Sequence, residues 1–130
     1  MTDQELMEQF EDGTLPGECF HHREHVRVAF LYLTKHPVLE ALQAFSDALR
    51  RFAEARGKSQ LYHETITWAH IFLIRERMAR AGKTQSWDEF AGDNPDLLVW
   101  KGGILTHYYR PETLTSDLAR TVFVLPDLGT

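Results

Sequence analysis

Seven histidines lie in a chain of 130 residues, and two short stretches hold those whose neighbours suit them for chemistry. The first is Phe20-His21-His22-Arg23-Glu24-His25. His22 lies four residues before Val26, and His25 four before Ala29, so both continue an apolar i, i+3, i+4 stripe backwards. Their own i, i+3 spacing makes them neighbours on one side of a helix. The second stretch is Tyr62-His63-Glu64-Thr65. Within a helix, His63, Thr67 and His70 share a face, while Glu64 is turned from His63 by about 100°.

Three neutral imidazoles and a carboxylate form a first shell suited to a divalent transition metal, with zinc, iron or copper as the candidates. Three protein ligands with a fourth position open is the catalytic zinc arrangement, in which bound water is acidified. The expected metal ligands are therefore His22, His25 and His63, with Glu64 as general base within about 3 Å of that water. His70 lies about 10 Å further along its helix and reads as a satisfied core histidine. His21, His36 and His107 read as surface or loop residues, although His107, Tyr62, Tyr108 and Tyr109 remain candidates for pocket groups. The zinc-protease motif needs a second histidine four residues after the first, and Thr67 stands there. Paired Glu-x-x-His units of a di-iron bundle are also missing. Cys19 completes a Cys-x-x-His-x-x-His spacing, but a free cysteine is more often a small buried hydrophobe.

Positioning these groups requires an all-α fold, a compact bundle of four main helices followed by short C-terminal helices and an apolar tail. Thr2 and Glu5 form a capping box for a helix over about 2–11. Val26, Ala29, Phe30 and Leu33 mark a core-facing helix over about 22–35. Pro37 opens a third, over 37–56, whose stripe is Leu39, Leu42, Phe45, Leu49 and Phe52, with Gly57 as its cap. The fourth, over about 62–81, carries Ile66, Trp68, Ala69, Ile71, Phe72, Leu73 and Ile74 on nearly every side, the pattern of a buried central helix. Ser86 and Glu89 cap a short helix holding Trp87 and Phe90. Further short helices are expected at 104–109 and 111–120, and the run 122–125 as an extended segment laid over the bundle. Trp68, Trp87 and Trp100 read as core. Short connections make consecutive helices antiparallel, so the second and fourth start at the same end. That brings His22 and His25 opposite His63 and Glu64.

Apolar residues make up 43% of the chain and charged residues 25%, which fits one globular domain over residues 1–130. The net charge of −5 and the dispersed basic residues argue against nucleic acid as a partner. No apolar run approaches the length of a membrane span, and the acidic start lacks the features of a signal peptide. With a single cysteine, these features place the protein in the cytoplasm.

The segments Phe20-His21-His22-Arg23-Glu24-His25-Val26-Arg27, Tyr62-His63-Glu64-Thr65-Ile66-Thr67-Trp68 and Asn94-Pro95-Asp96-Leu97-Leu98 resemble a family of small uncharacterised bacterial all-helical proteins with no assigned activity. The resemblance covers most of the chain, to about Asp127. It implies a complete domain and carries no ligand or substrate. From the residues themselves the leading expectation is a metal-binding helical protein, and a metal-dependent hydrolase or oxidoreductase acting on a small molecule if it is an enzyme. The alternative is a non-enzymatic binding module that holds an apolar ligand or partner helix with its aromatic C-terminal half. A third reading is a structural domain that dimerises through an apolar face, and the sequence leaves the oligomeric state open.

Overall fold

A computed structural model describes residues 1–128. The protein is all-α: its helices are α1 (Asp3–Asp12), α2 (His22–Lys35), α3 (Val38–Ala55), α4 (Glu64–Ala81), α5 (Trp87–Asp93), α6 (Pro111–Leu114) and α7 (Asp117–Thr121). Among the described residues there is no strand. Four short 3-10 turns lie in three of the connections: Gly17–Cys19, Ser59–Leu61, and both Pro95–Leu98 and Ile104–His107 between α5 and α6. Among the described residues, no helix is long and apolar enough to cross a membrane.

Local chemistry sets the helix ends. The Thr2 hydroxyl accepts from Glu5 N–H while the Glu5 carboxylate accepts from Thr2 N–H, and Ser86 and Glu89 repeat this reciprocal pair at α5. Gly82, at φ 69°, ends α4 in the left-handed conformation that favours glycine. At α2, His21 N–H donates to the Glu24 carboxylate at 2.8 Å, which fixes where that helix starts.

The core lies between α2, α3 and α4, which pack pairwise against one another, with α1 laid against α2 and α3. One end of it is aromatic: Phe20 lies 5.0 Å from Phe10 and 4.7 Å from Phe52 between ring centroids. The stripe of α3 runs through Ala41, Leu42, Phe45, Ala48, Leu49 and Phe52. Leu39, expected in that stripe, is 72% exposed, because Val38 takes the core side of the first turn instead. Helix α4 is not apolar all round: its buried residues include Thr65 and Thr67, whereas Phe72 is 39% exposed. Trp100 is likewise no core residue, at 60% exposure, since it sits in a turn after the 3-10 segment. The expected helix over 111–120 divides into α6 and α7, because the Ser116 hydroxyl caps a new start by accepting from Ala119 N–H.

Past α7 the chain is extended and lies along α4. The fully buried Thr65 hydroxyl holds it there, donating to the Val122 carbonyl at 2.9 Å and accepting from Val124 N–H at 3.0 Å. Tyr109 donates its hydroxyl to the Val124 carbonyl at 2.7 Å, and Phe123 stacks on Trp68 at 5.4 Å. One side chain thus supplies a hydrogen-bond pair that a neighbouring strand would otherwise provide. Thr65→Val keeps the shape and leaves both backbone groups without that partner. It should cost about 1–3 kcal/mol in chemical denaturation and speed amide exchange at Val124. An unchanged denaturation midpoint together with unchanged exchange would show that the hydroxyl does not hold the tail.

Candidate functional site

The four residues expected to converge fall into two separate environments. His63 is not inside α4 but is its N-cap, with extended backbone at φ −134° and ψ 112°. Its Nδ1 accepts from Ile66 N–H at 3.1 Å, and its Nε2–H donates to the Leu114 carbonyl at 2.7 Å. A carbonyl only accepts, so Nε2 must carry the proton and Nδ1 the lone pair. Both ring nitrogens are thereby used, and His63 has no lone pair to offer a metal in this conformation. This corrects its assignment as ligand: the projection treated position 63 as helical, whereas a cap residue turns its ring back onto the helix end.

Glu64 is also occupied. One of its oxygens accepts from Arg50 at 2.8 Å and from the Tyr62 hydroxyl at 2.6 Å, and the Arg50 guanidinium lies 4.6 Å from the centre of the Tyr62 ring. Burial, then the bond to Glu64, raise the Tyr62 phenol above its ordinary range. The carboxylate expected to act as general base therefore joins α3 to the start of α4, facing an arginine rather than an imidazole.

His22 and His25 meet a different partner. His22 opens α2, and its Nε2–H donates to the Leu97 carbonyl at 2.8 Å, in the 3-10 segment Pro95–Leu98. His70, halfway along α4, donates Nδ1–H to the Ile66 carbonyl at 2.9 Å. The same acceptor logic leaves a lone pair on Nδ1 of His22 and on Nε2 of His70. Their ring centroids are 5.2 Å apart at an interplanar angle of 66°. His70, read from the sequence as a core residue, is thus brought to His22, while His63 is not. The missed signal lay in the start of α4: with position 63 outside the helix, the inward-facing histidine of α4 is His70.

His25 lies one turn along α2, its ring stacked on Phe20 at 4.0 Å. Burial against this aromatic cluster pushes its pKa down to about 3, with His22 and His70 adding smaller contributions. Burial likewise takes His70 down to about 4 and lowers His22. Among the described residues, no carboxylate bonds to any of the three, and no three His, Cys, Asp or Glu side chains stand ready as a metal shell. Cys19, read from the sequence as a small buried hydrophobe rather than as part of a Cys-x-x-His clip, is exposed. What the chain offers is a pair of neutral imidazoles with fixed tautomers, a third imidazole beside them, and the indole of Trp100 at 5.2 Å from His22.

Comparison with protein-family models, with curated proteins and with solved structures finds no match for this chain.

A histidine whose folded pKa lies below its unfolded value binds more protons when unfolded. Its stabilising contribution is complete above pH 6.5 and is lost as the pH falls toward the folded value. With His25 at about 3 and His70 at about 4, the loss runs from about pH 6.5 down to that range. Denaturation midpoints measured between pH 7 and pH 5, above most carboxylate titration, should therefore fall steadily. The slope should approach about 1.4 kcal/mol per pH unit for each such histidine. His25→Phe should flatten it. A wild-type midpoint constant across that interval would contradict burial of neutral imidazoles.

Proposed function

We propose that the protein binds a transition-metal ion, drawn from zinc, iron and copper, between His22 and His70, with His25 as the third imidazole. The observation that carries this is the His22–His70 pair. Metal-bound histidines typically donate the other ring N–H to a carboxylate, a backbone carbonyl or water, which fixes tautomer and orientation. His22 and His70 do so through the Leu97 and Ile66 carbonyls. Imidazoles sharing one ion, with metal–nitrogen distances of about 2.0–2.1 Å, have ring centroids about 5 Å apart at a tetrahedral angle. The observed 5.2 Å agrees. His25 joins by turning its ring away from Phe20. A coordination position left open on such an ion would supply hydrolytic or redox chemistry to a water or small molecule. A cytoplasmic setting belongs to the same proposal, supported by the lone Cys19.

A second reading keeps the protein a binding module without chemistry. A groove of about 410 Å³ runs between α4 and the tail, lined by Phe72, Leu105, Tyr108, Tyr109, Phe123 and Pro126, among others. This is within the size range of small-molecule sites. It predicts a thermal shift with an apolar ligand that Phe72→Asp removes and His22→Ala leaves intact.

Metal analysis of untagged protein, reconstituted in turn with zinc, iron and copper, tests the first reading. Wild type should hold close to one equivalent. His22→Ala and His70→Ala should each weaken binding by at least about tenfold. His63→Gln and Glu64→Gln should retain it, with circular dichroism confirming helix content in every variant. Full retention in the His22/His70 double variant would overturn the assignment. Loss in His63→Gln, with retention in His70→Ala, would restore the set expected from the sequence.

A further inference from the structure

We propose that the groove between α4 and the tail takes a small aromatic amine, its ring held between Phe72 and the tail and its ammonium against the Glu76 carboxylate; this rests on the second reading above. The groove of about 410 Å³ has an apolar wall: Ala69, Phe72 and Leu73 from α4, Leu105 from the last 3-10 turn, and Phe123 and Pro126 from the tail. Phe72 and Phe123 meet at 69° with centroids 6.1 Å apart, so the two rings form a corner rather than a stack. Phe72 and Tyr108, which also lines the groove, are 39% and 38% exposed. A flat apolar body laid there would cover aromatic surface that the fold leaves open to water. The part of the wall made by Phe123 and Pro126 exists only while the tail lies along α4. A ligand that fills the groove therefore binds the docked tail in preference to the released one and stabilises it.

Charge selects among apolar bodies. Among the described residues, Glu76 is the one charged residue lining the groove, and no lysine or arginine lines it. Glu76 pairs with Arg80, one turn along the same helix, at 3.1 Å, and these side chains are 52% and 73% exposed. A pair so exposed is weak, and an ammonium entering the groove can take the place of the guanidinium. Arg77 lies close enough to feel Tyr108 and Glu76, but its guanidinium is committed to Asp96 through bonds of 3.0 and 2.8 Å and to Asn94 at 2.9 Å. On the tail side stands Asp127, next to Pro126. The Thr113 hydroxyl and the Arg110 N–H hold it as a carboxylate. Burial, then the Asp127 charge, raise the phenol of Tyr109, another lining residue, so negative potential reaches the groove from there too. Apolar walls with negative charge at the rim favour a cation with an apolar body over its neutral or anionic analogue.

The test is an NMR titration of the full chain at neutral pH with three probes that share a ring and differ in charge: naphthylmethylamine, naphthylmethanol and naphthylacetate. The amine should bind about threefold to tenfold more tightly than the alcohol, and at least about tenfold more tightly than the acid. It should shift the Phe72 and Phe123 resonances and slow amide exchange at Val124, whose N–H donates to the Thr65 hydroxyl. High salt should narrow the amine's advantage over the alcohol. Glu76→Gln should remove that advantage, whereas Glu40→Gln, the same loss of charge on α3, should leave it. Equal affinity for amine and alcohol, with the alcohol lost in Phe72→Asp, would overturn the inference and leave the groove reading standing. An advantage that survives Glu76→Gln would overturn it as well, because the protein's general negative charge and not this carboxylate would then select the amine. Binding of none of the three probes would remove both.

Discussion

A neutral imidazole has one N–H and one lone pair, and the place where its N–H is spent decides what the ring can still do. Three histidines of this protein spend it on a backbone carbonyl: His22 on Leu97, His63 on Leu114 and His70 on Ile66. The difference lies in the other nitrogen. In His63 it is consumed by Ile66 N–H, so that ring is a structural part that starts α4 and ties α6 to it. In His22 and His70 it stays free. The division between scaffold and site therefore follows from hydrogen-bond accounting rather than from which histidines are near one another.

The same accounting explains why the molecule tolerates this cluster. A buried imidazole that remained charged would need an anion, and Glu64, the carboxylate at the start of α4, is taken by Arg50 and Tyr62. His25 stacks on Phe20 beside Phe10 and Phe52, and burial there, with the neighbouring histidines adding to it, holds its ring neutral. Each ring is held neutral, and neutrality is also what a metal requires of an imidazole. Coupling between stability and acidity is the consequence of building a cluster of lone pairs in an apolar place.

Much of the frame was legible in the sequence because its determinants are local. The bounds of α2, the capping boxes at Thr2 and Ser86, the left-handed Gly82 and the extended run after α7 follow from residues within a few positions of each other. The site was half legible. His22 and His25 were placed by the stripe of α2, but the start of α4 was taken to lie two residues early. In a helix each residue turns the chain by about 100°, and a cap residue leaves the helical path altogether. As the cap, His63 is therefore lost from the face it was read to share with His70, and His70 alone keeps it. The partners that fix the rings were out of reach: Leu97 lies 75 residues from His22, and Leu114 lies 51 from His63. Both are backbone carbonyls, which no side-chain pattern reports. Arg50 opposite Glu64 is a similar case, a contact across two helices that either residue's own spacing leaves undetermined.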